Sequence, residues 1–253
     1  MSRTPDATLR ERAAALGLHG LLARWHAVET ESWLLPLITA EETERCRRSL
    51  ERRISHASLG SFKPIADFDW AHPRKIDREA IEALFELDFL REHINVVFIG
   101  SGGVGKTMLA QNLAHRAILA GHTARFVSAA AMLADLAAQD GPASLRRRLR
   151  HYTSPSLLIL DEVGYMSYGQ GYADLLFQVV SQRYQRRSTI VSTNRVFTEW
   201  SEVFPNATSI IALIDRLCHN AEIVSIDADS YRNKETQERI AARKTARRSP
   251  RKP

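Results

Sequence analysis

The sequence predicts an α/β protein, a parallel sheet sandwiched by helices and preceded by a small all-α N-terminal domain. Three observations carry this. Residues 96–99 are a short apolar run, followed by the glycine-rich stretch 100–107 and then a helical pattern at Leu109, Leu113, Ala117 and Ala120. Further strand-like stretches, apolar at 157–160 and centred on β-branched residues at 188–194 and 223–226, alternate with helical stretches, as strands buried on both faces do. Residues 7–58, by contrast, carry helical periodicity only. The expected layout is a helical domain over 1–60, a linker over 61–75, the α/β domain over 76–231 and a basic, disordered tail over 232–253.

In the N-terminal part, Leu9, Leu16, Leu18, Leu21, Leu22, Trp25 and Val28 form an apolar stripe. Gly17 and Gly20 should divide it into two short helices, and Pro36 should close the section. Thr39 and Glu42 have capping-box spacing, which predicts a helix from Thr39 to about Ser58. Glu41–Arg45, Glu44–Arg47 and Glu44–Arg48 are spaced for ion pairs on an exposed face. Arg45, Arg48 and Arg52 share one stripe, which serves either as a solvated face or as contacts to DNA phosphates.

Gly60, Pro64 and Pro73 mark the linker, which carries an aromatic-acidic patch at 65–70. Phe68 within it is either a hydrophobic latch or a wall beside a nucleotide base. A helix starts at Asp77 and runs through Ile81 and Leu84 toward the first strand.

Gly100, Ser101, Gly102, Gly103, Val104, Gly105, Lys106 and Thr107 fit G-x-x-x-x-G-K-[ST]. Glycines let successive N–H groups turn toward one anion, and the helix N-terminus adds partial positive charge. Lys106 is placed to reach β- and γ-phosphates and Thr107 to hold Mg²⁺. Residues 123–127 read as the next strand and 129–138 as a helix. In 145–151, Leu145 and Leu149 mark a buried stripe, so Arg146, Arg147, Arg148, Arg150 and His151 should project outward. They suit either solubility or contacts to a phosphate backbone.

The run 157–160 ends in Asp161 and Glu162, at the strand end where open parallel sheets bind ligands. Asp161 suits Mg²⁺ and Glu162 suits a general base for water. After a helix over 172–184, the strand 188–194 ends in Thr193 and Asn194, where a γ-phosphate could be sensed. Arg216 lies in the apolar helix 210–219. It requires either an intramolecular partner such as Asp215 or a role as an arginine finger toward a neighbouring subunit.

The 253 residues are 44% hydrophobic and 25% charged, ordinary for a globular protein. No apolar run approaches a membrane span, no signal peptide is expected, and two distant cysteines suit a reducing cytoplasm. Nine basic and two acidic residues lie from Arg232 onward, a net +7 against +6 for the whole chain. The tail suits either a polyanion such as nucleic acid or simple solvation.

Together with 100–107 and 157–165, the stretches Phe177–Tyr184, 188–194, Phe197-x-Glu-Trp200, Asp215-Arg-Leu-Cys-His219 and Ser230-Tyr-Arg232 resemble the IstB family over about residues 5–235. These are ATP-binding helpers of insertion-sequence transposition, AAA+ proteins related to the DnaC and DnaI helicase loaders. The resemblance implies an AAA+ ATPase using ATP and Mg²⁺. It implies non-specific binding to duplex DNA, assembly into a homo-oligomer there, and activation of a cognate transposase. A DnaC-like helicase loader is the alternative.

By the same resemblance Lys106 and residues 100–108, Met108 included, hold the nucleotide, Thr107 and Asp161 the Mg²⁺, and Glu162 the water. Asn194 is the sensor and Arg216 the trans-acting arginine, and Arg232 is a further nucleotide- or interface-facing residue. Ser101-Gly102 stands where the family usually has Pro-Pro, which should loosen the loop. Only a tail is expected after Ile226, without the separate helical lid of many AAA+ proteins.

Overall fold

The structure is a computed structural model that describes residues 8–165, 168–169, 171–204 and 208–248. It divides into two units, Met1–His56 and Ala57–Pro253. Among the described residues no helix is long and apolar enough to cross a membrane.

The first unit holds α1 (Leu9–Ala15), α2 (His19–Ala23), α3 (Trp25–Val28) and α4 (Leu34–Ala57), packed around Ala13, Leu16, Trp25, Leu34 and Ile38. Gly17, at φ +65°, separates α1 from α2, but Gly20 lies inside α2. The predicted start at Thr39 is corrected. α4 begins at Leu34 with Pro36 in its first turn, where a missing N–H costs nothing. Thr39 and Glu42 instead receive Arg12 of α1, at 3.2 Å and 2.8 Å. A capping box does form at Thr8, whose hydroxyl accepts from Glu11 N while the Glu11 carboxylate accepts from Thr8 N. The spaced pairs on α4 form: Arg45–Glu41 at 3.6 Å, Arg47–Glu44 at 2.8 Å and Arg48–Glu44 at 2.6 Å.

The second unit begins with a 3-10 turn at Ile65–Asp67, then α5 (Arg78–Leu84, capped by Asp77) and α6 (Asp88–Arg91). Next come β1 (Asn95–Gly100), α7 (Lys106–Leu119), β2 (Ala124–Ser128), α8 (Ala129–Ala137) and α9 (Pro142–Thr153). β3 (Leu157–Val163), α10 (Tyr172–Arg183) and β4 (Ser188–Thr193) follow. The remaining elements are α11 (Trp200–Val203), α12 (Ile210–Cys218), β5 (Ala221–Ile226) and α13 (Tyr231–Arg248).

The five strands pair in parallel in the order β2-β3-β4-β1-β5. Strand alternation sends Val97, Leu158, Leu160 and Val191 into a core built with α8, α9, α10, α11 and α12. Val96, Phe98, Leu157, Ile159 and Ile190 are buried on the opposite face, and α7 contacts β1 to β4. This order sets β4 between β1 and β3. The glycine loop, the acidic pair and Asn194 therefore leave neighbouring strand ends on one edge of the sheet.

One joint is held by a buried arginine. Arg183 is 1% exposed and donates to the carbonyls of Tyr152, Thr153, Pro155, Ser156 and Ser188 and to Thr189 Oγ1. It ties the end of α9 to the starts of β3 and β4.

The disordered tail predicted over 232–253 is corrected for its described part, since Tyr231–Arg248 is helical, while 249–253 lie outside the described residues. Its first turn is fastened: Tyr231 N donates to Gly103 O at 3.0 Å, Lys234 pairs with Asp69 at 2.9 Å and Glu235 with Lys63 at 2.5 Å. Fixing the first turn removes the unfavourable nucleation step of a charge-rich helix.

Candidate nucleotide site

The loop between β1 and α7 is shaped by its glycines and by what presses on them. Gly105 stands at φ +102°, and a Cβ there would lie 2.6 Å from the Phe68 ring. Gly103, at φ +82°, has no room for a Cβ beside Ser230. The loop is therefore clasped between the linker and the segment entering α13. Ser101, where looseness was expected in place of a proline pair, donates to Ala228 O at 3.0 Å and ties the loop to the exit of β5.

Lys106 folds back over this loop, donating to Gly100 O and Ser101 O at 2.7 Å each. Burial lowers its pKa from the ordinary lysine value and nearby Arg232 adds to the effect, while Asp161 and Glu162 oppose it. The next side chain, Thr107, donates its hydroxyl toward Asp161, 3.1 Å from each carboxylate oxygen. Asp161 is buried and also accepts from Ser192 Oγ.

Glu162 is exposed toward the site although its neighbours in β3 are buried. A shift in the β3–β4 register between Leu160 and Val163 produces this, with Glu162 at φ +60°. Its N–H leaves the ladder and is accepted by Ser192 Oγ at 2.9 Å.

A cavity of about 290 Å³ opens along this edge. Gly102 to Met108 form its floor, Glu162 and Asn194 line it from the strand ends, and Phe68 and His72 line it from the linker. Tyr231, Arg232 and Glu235 of α13 complete the lining, where only a tail was expected. The cradle fits a nucleotide: crowded glycines and a helix N-terminus offer N–H groups to phosphates, with a lysine beside them. Thr107 and Asp161 form a donor set of oxygens suited to Mg²⁺.

The other predicted residues lie elsewhere. Arg216 does not line the cavity and does not pair with Asp215. It donates to Ser181 Oγ, and its guanidinium lies 4.5 Å from the centre of the Phe177 ring. Arg45, Arg48 and Arg52 are exposed on α4, and Arg146, Arg147 and Arg150 on α9. Arg148 is corrected. Packing of α8 on α9 brings it to Asp135, so it forms an ion pair and lies 5.7 Å from the Tyr152 ring centre instead of projecting outward. Sequence reasoning missed Ser192, His72 and Tyr231. Ser192 is a small polar residue in a buried strand, and the other two enter the site through pairings invisible in local pattern.

These features agree with the comparisons to known proteins. A family model described as IstB-like ATP binding protein matches residues 9–239. The chain is 32% identical over 213 residues to an insertion sequence IS5376 ATP-binding protein of Geobacillus stearothermophilus, covering 84% of this chain and 85% of that protein. It is 34% identical to the IS21 counterpart from Pseudomonas aeruginosa over 203 residues, 80% of this chain and 77% of that one. In fold it is similar to DnaI, with a TM-score of 0.53 at 16% identity over 68% of this chain and 90% of that one. It is also similar to AMPPCP-bound DnaA of Aquifex aeolicus, with a TM-score of 0.50 at 20% identity over 70% of this chain and 56% of that one. With a five-stranded parallel sheet, a glycine loop closing on an acidic strand end, and a family match running from α1 into α13, the chain belongs to the IstB-like ATP-binding proteins.

Proposed function

We propose that this protein is a Mg²⁺-dependent ATPase that assembles as a homo-oligomer on duplex DNA. There it directs a cognate transposase to its target. The observation that carries the hydrolytic part is the meeting of the glycine loop with the acidic end of β3, where Thr107 and Asp161 touch and Glu162 faces the cavity. Gly102 to Thr107 hold the phosphates, and Lys106 turns from its own loop carbonyls to β- and γ-oxygens. Thr107 and Asp161 hold Mg²⁺, which supplies charge neutralisation at those oxygens. Glu162 takes a proton from the attacking water, and Asn194 orients that water or the γ-phosphate. Phe68 bounds the nucleotide on the linker side.

Arg45, Arg48 and Arg52, with Arg146, Arg147 and Arg150, meet DNA phosphates without reading bases, and the basic half of α13 adds to that charge. Arg216, away from its own cavity, serves the site of a neighbouring subunit. Such a protein works in the cytoplasm. The IS-encoded relatives support a transposase as the partner in preference to a replicative helicase.

The deciding experiment is Glu162→Gln. The variant should retain ATP, form persistent assemblies on DNA and lose turnover by about 10²-fold or more, the usual scale for a general base. Undiminished turnover would remove Glu162 as base. Pull-down of the transposase with the ATP-loaded assembly, with a replicative helicase as the competing bait, tests the partner.

A further inference from the structure

We infer that Ser192 is a positioning residue for ATP hydrolysis, holding Asp161 and Glu162 in their working arrangement from the neighbouring strand. The inference rests on the hydrolytic reading of the site. Ser192 is 1% exposed near the end of β4, the strand between the phosphate-loop strand and the acidic strand. Its hydroxyl acts in both directions: it donates to Asp161 Oδ1 and accepts from Glu162 N at 2.9 Å.

The second bond has a specific task. The register shift after Leu160 takes the Glu162 N–H out of the β ladder and puts Glu162 at φ +60°, a conformation that a residue with a side chain rarely keeps without support. A buried N–H without an acceptor would favour a return to regular pairing, and regular pairing would turn the Glu162 side chain away from the cavity. Ser192 supplies that acceptor. The first bond orients the carboxylate that also receives Thr107, so one hydroxyl sets both acidic residues relative to the loop. Since Asn194 lies two residues further on, just past the end of the same strand, a displacement of β4 would reach Ser192 and the sensor together.

The test uses the full chain with Ser192→Ala, Ser192→Thr and Ser192→Cys, beside Glu162→Gln. Turnover gives kcat and KM, and binding of a non-hydrolysable ATP analogue with Mg²⁺ is measured directly. Ser192→Ala should lower kcat by about 10²-fold, the cost expected of displacing a reacting group by about 1 Å, with analogue affinity changed less than about threefold. Ser192→Thr, which keeps the hydroxyl, should restore most of kcat. If the alanine variant does not fold, Ser192→Cys keeps the shape with a weak hydrogen bond and should show the same loss. Normal kcat in the alanine or cysteine variant, or a loss confined to KM, overturns the inference. If the wild-type chain does not hydrolyse ATP, the hydrolytic reading itself fails. If Glu162→Gln is inactive while Ser192→Ala is not, only the role of Ser192 fails.

Discussion

Thr107 and Asp161, 54 residues apart in the chain, meet with the hydroxyl 3.1 Å from both carboxylate oxygens. One lies in the first turn of α7 and the other near the end of β3, which is separated from β1 by β4. Replacing Asp161 by Ala should therefore remove the Mg²⁺-dependent part of nucleotide affinity and lower turnover by about 10²-fold or more. Calorimetric titration of nucleotide with Mg²⁺ and with EDTA checks this. An affinity gain from Mg²⁺ that survives in the variant would exclude Asp161 as a ligand.

Lys106 predicts a pH dependence. Burial holds its pKa below the ordinary 10.5, so without nucleotide its charge costs stability at pH below the lowered value. That cost fades as pH rises through the window up to the ordinary value. Phosphate charge has the opposite effect, raising the pKa and favouring the ammonium. Nucleotide affinity should thus fall as pH rises through this alkaline window, with proton uptake on binding. Titrations in buffers of different ionisation enthalpy measure the uptake, and Lys106→Ala should abolish it.

Arg183 predicts a stability effect far from the cavity. Burial pulls its pKa down to about 9, yet five carbonyls accept from its N–H groups. Arg183→Met should cost about 3–5 kcal/mol, because buried acceptors lose their partners. Arg183→Lys should cost about 2 kcal/mol, since an ammonium has too few donors for this geometry. Urea unfolding midpoints at constant m-value provide the measurement.

The two kinds of arginine on α9 should separate experimentally. Removing exposed Arg146, Arg147 and Arg150 should reduce the salt dependence of duplex binding by up to about 0.9 in log–log slope per lost phosphate contact. Arg148→Ala should leave that slope unchanged, because its partners are Asp135 and Tyr152. Fluorescence anisotropy across a salt series distinguishes them, and an unaltered slope in the triple variant would exclude α9 from the DNA path.

Arg216 is testable by complementation. Mixed Arg216→Ala and Lys106→Ala chains should regain part of the hydrolysis that each lacks alone, since a mixed interface contains one intact site. Co-assembled chains that remain inactive would leave Arg216 with its partners on α10 alone.

Local pattern was enough to find the glycine loop and the acidic pair, because strand, glycine turn and helix are short-range features with distinct periods. β3, α10, β4 and α12 likewise follow the stretches predicted for them to within a residue or two. Local pattern failed where a distant partner decided the outcome. α4 starts before Thr39 because Pro36 is harmless in a first turn, and Arg12 then occupies the two residues read as a cap. Arg148 turns inward because α8 presents Asp135, and α13 is helical from Tyr231 because the linker and the loop hold its first turn.

Ser192 is the clearest case. Its place in the stretch 188–194 assigns it no role, and only strand order puts its hydroxyl between two carboxyl-bearing residues 30 and 31 positions away. The sequence alone specified that a glycine-rich loop and an acidic pair would stand at strand ends, since that is a property of side-chain type and spacing. Which of their residues share a hydrogen bond depended on the order of strands in the sheet, a non-local choice made by packing of the whole core.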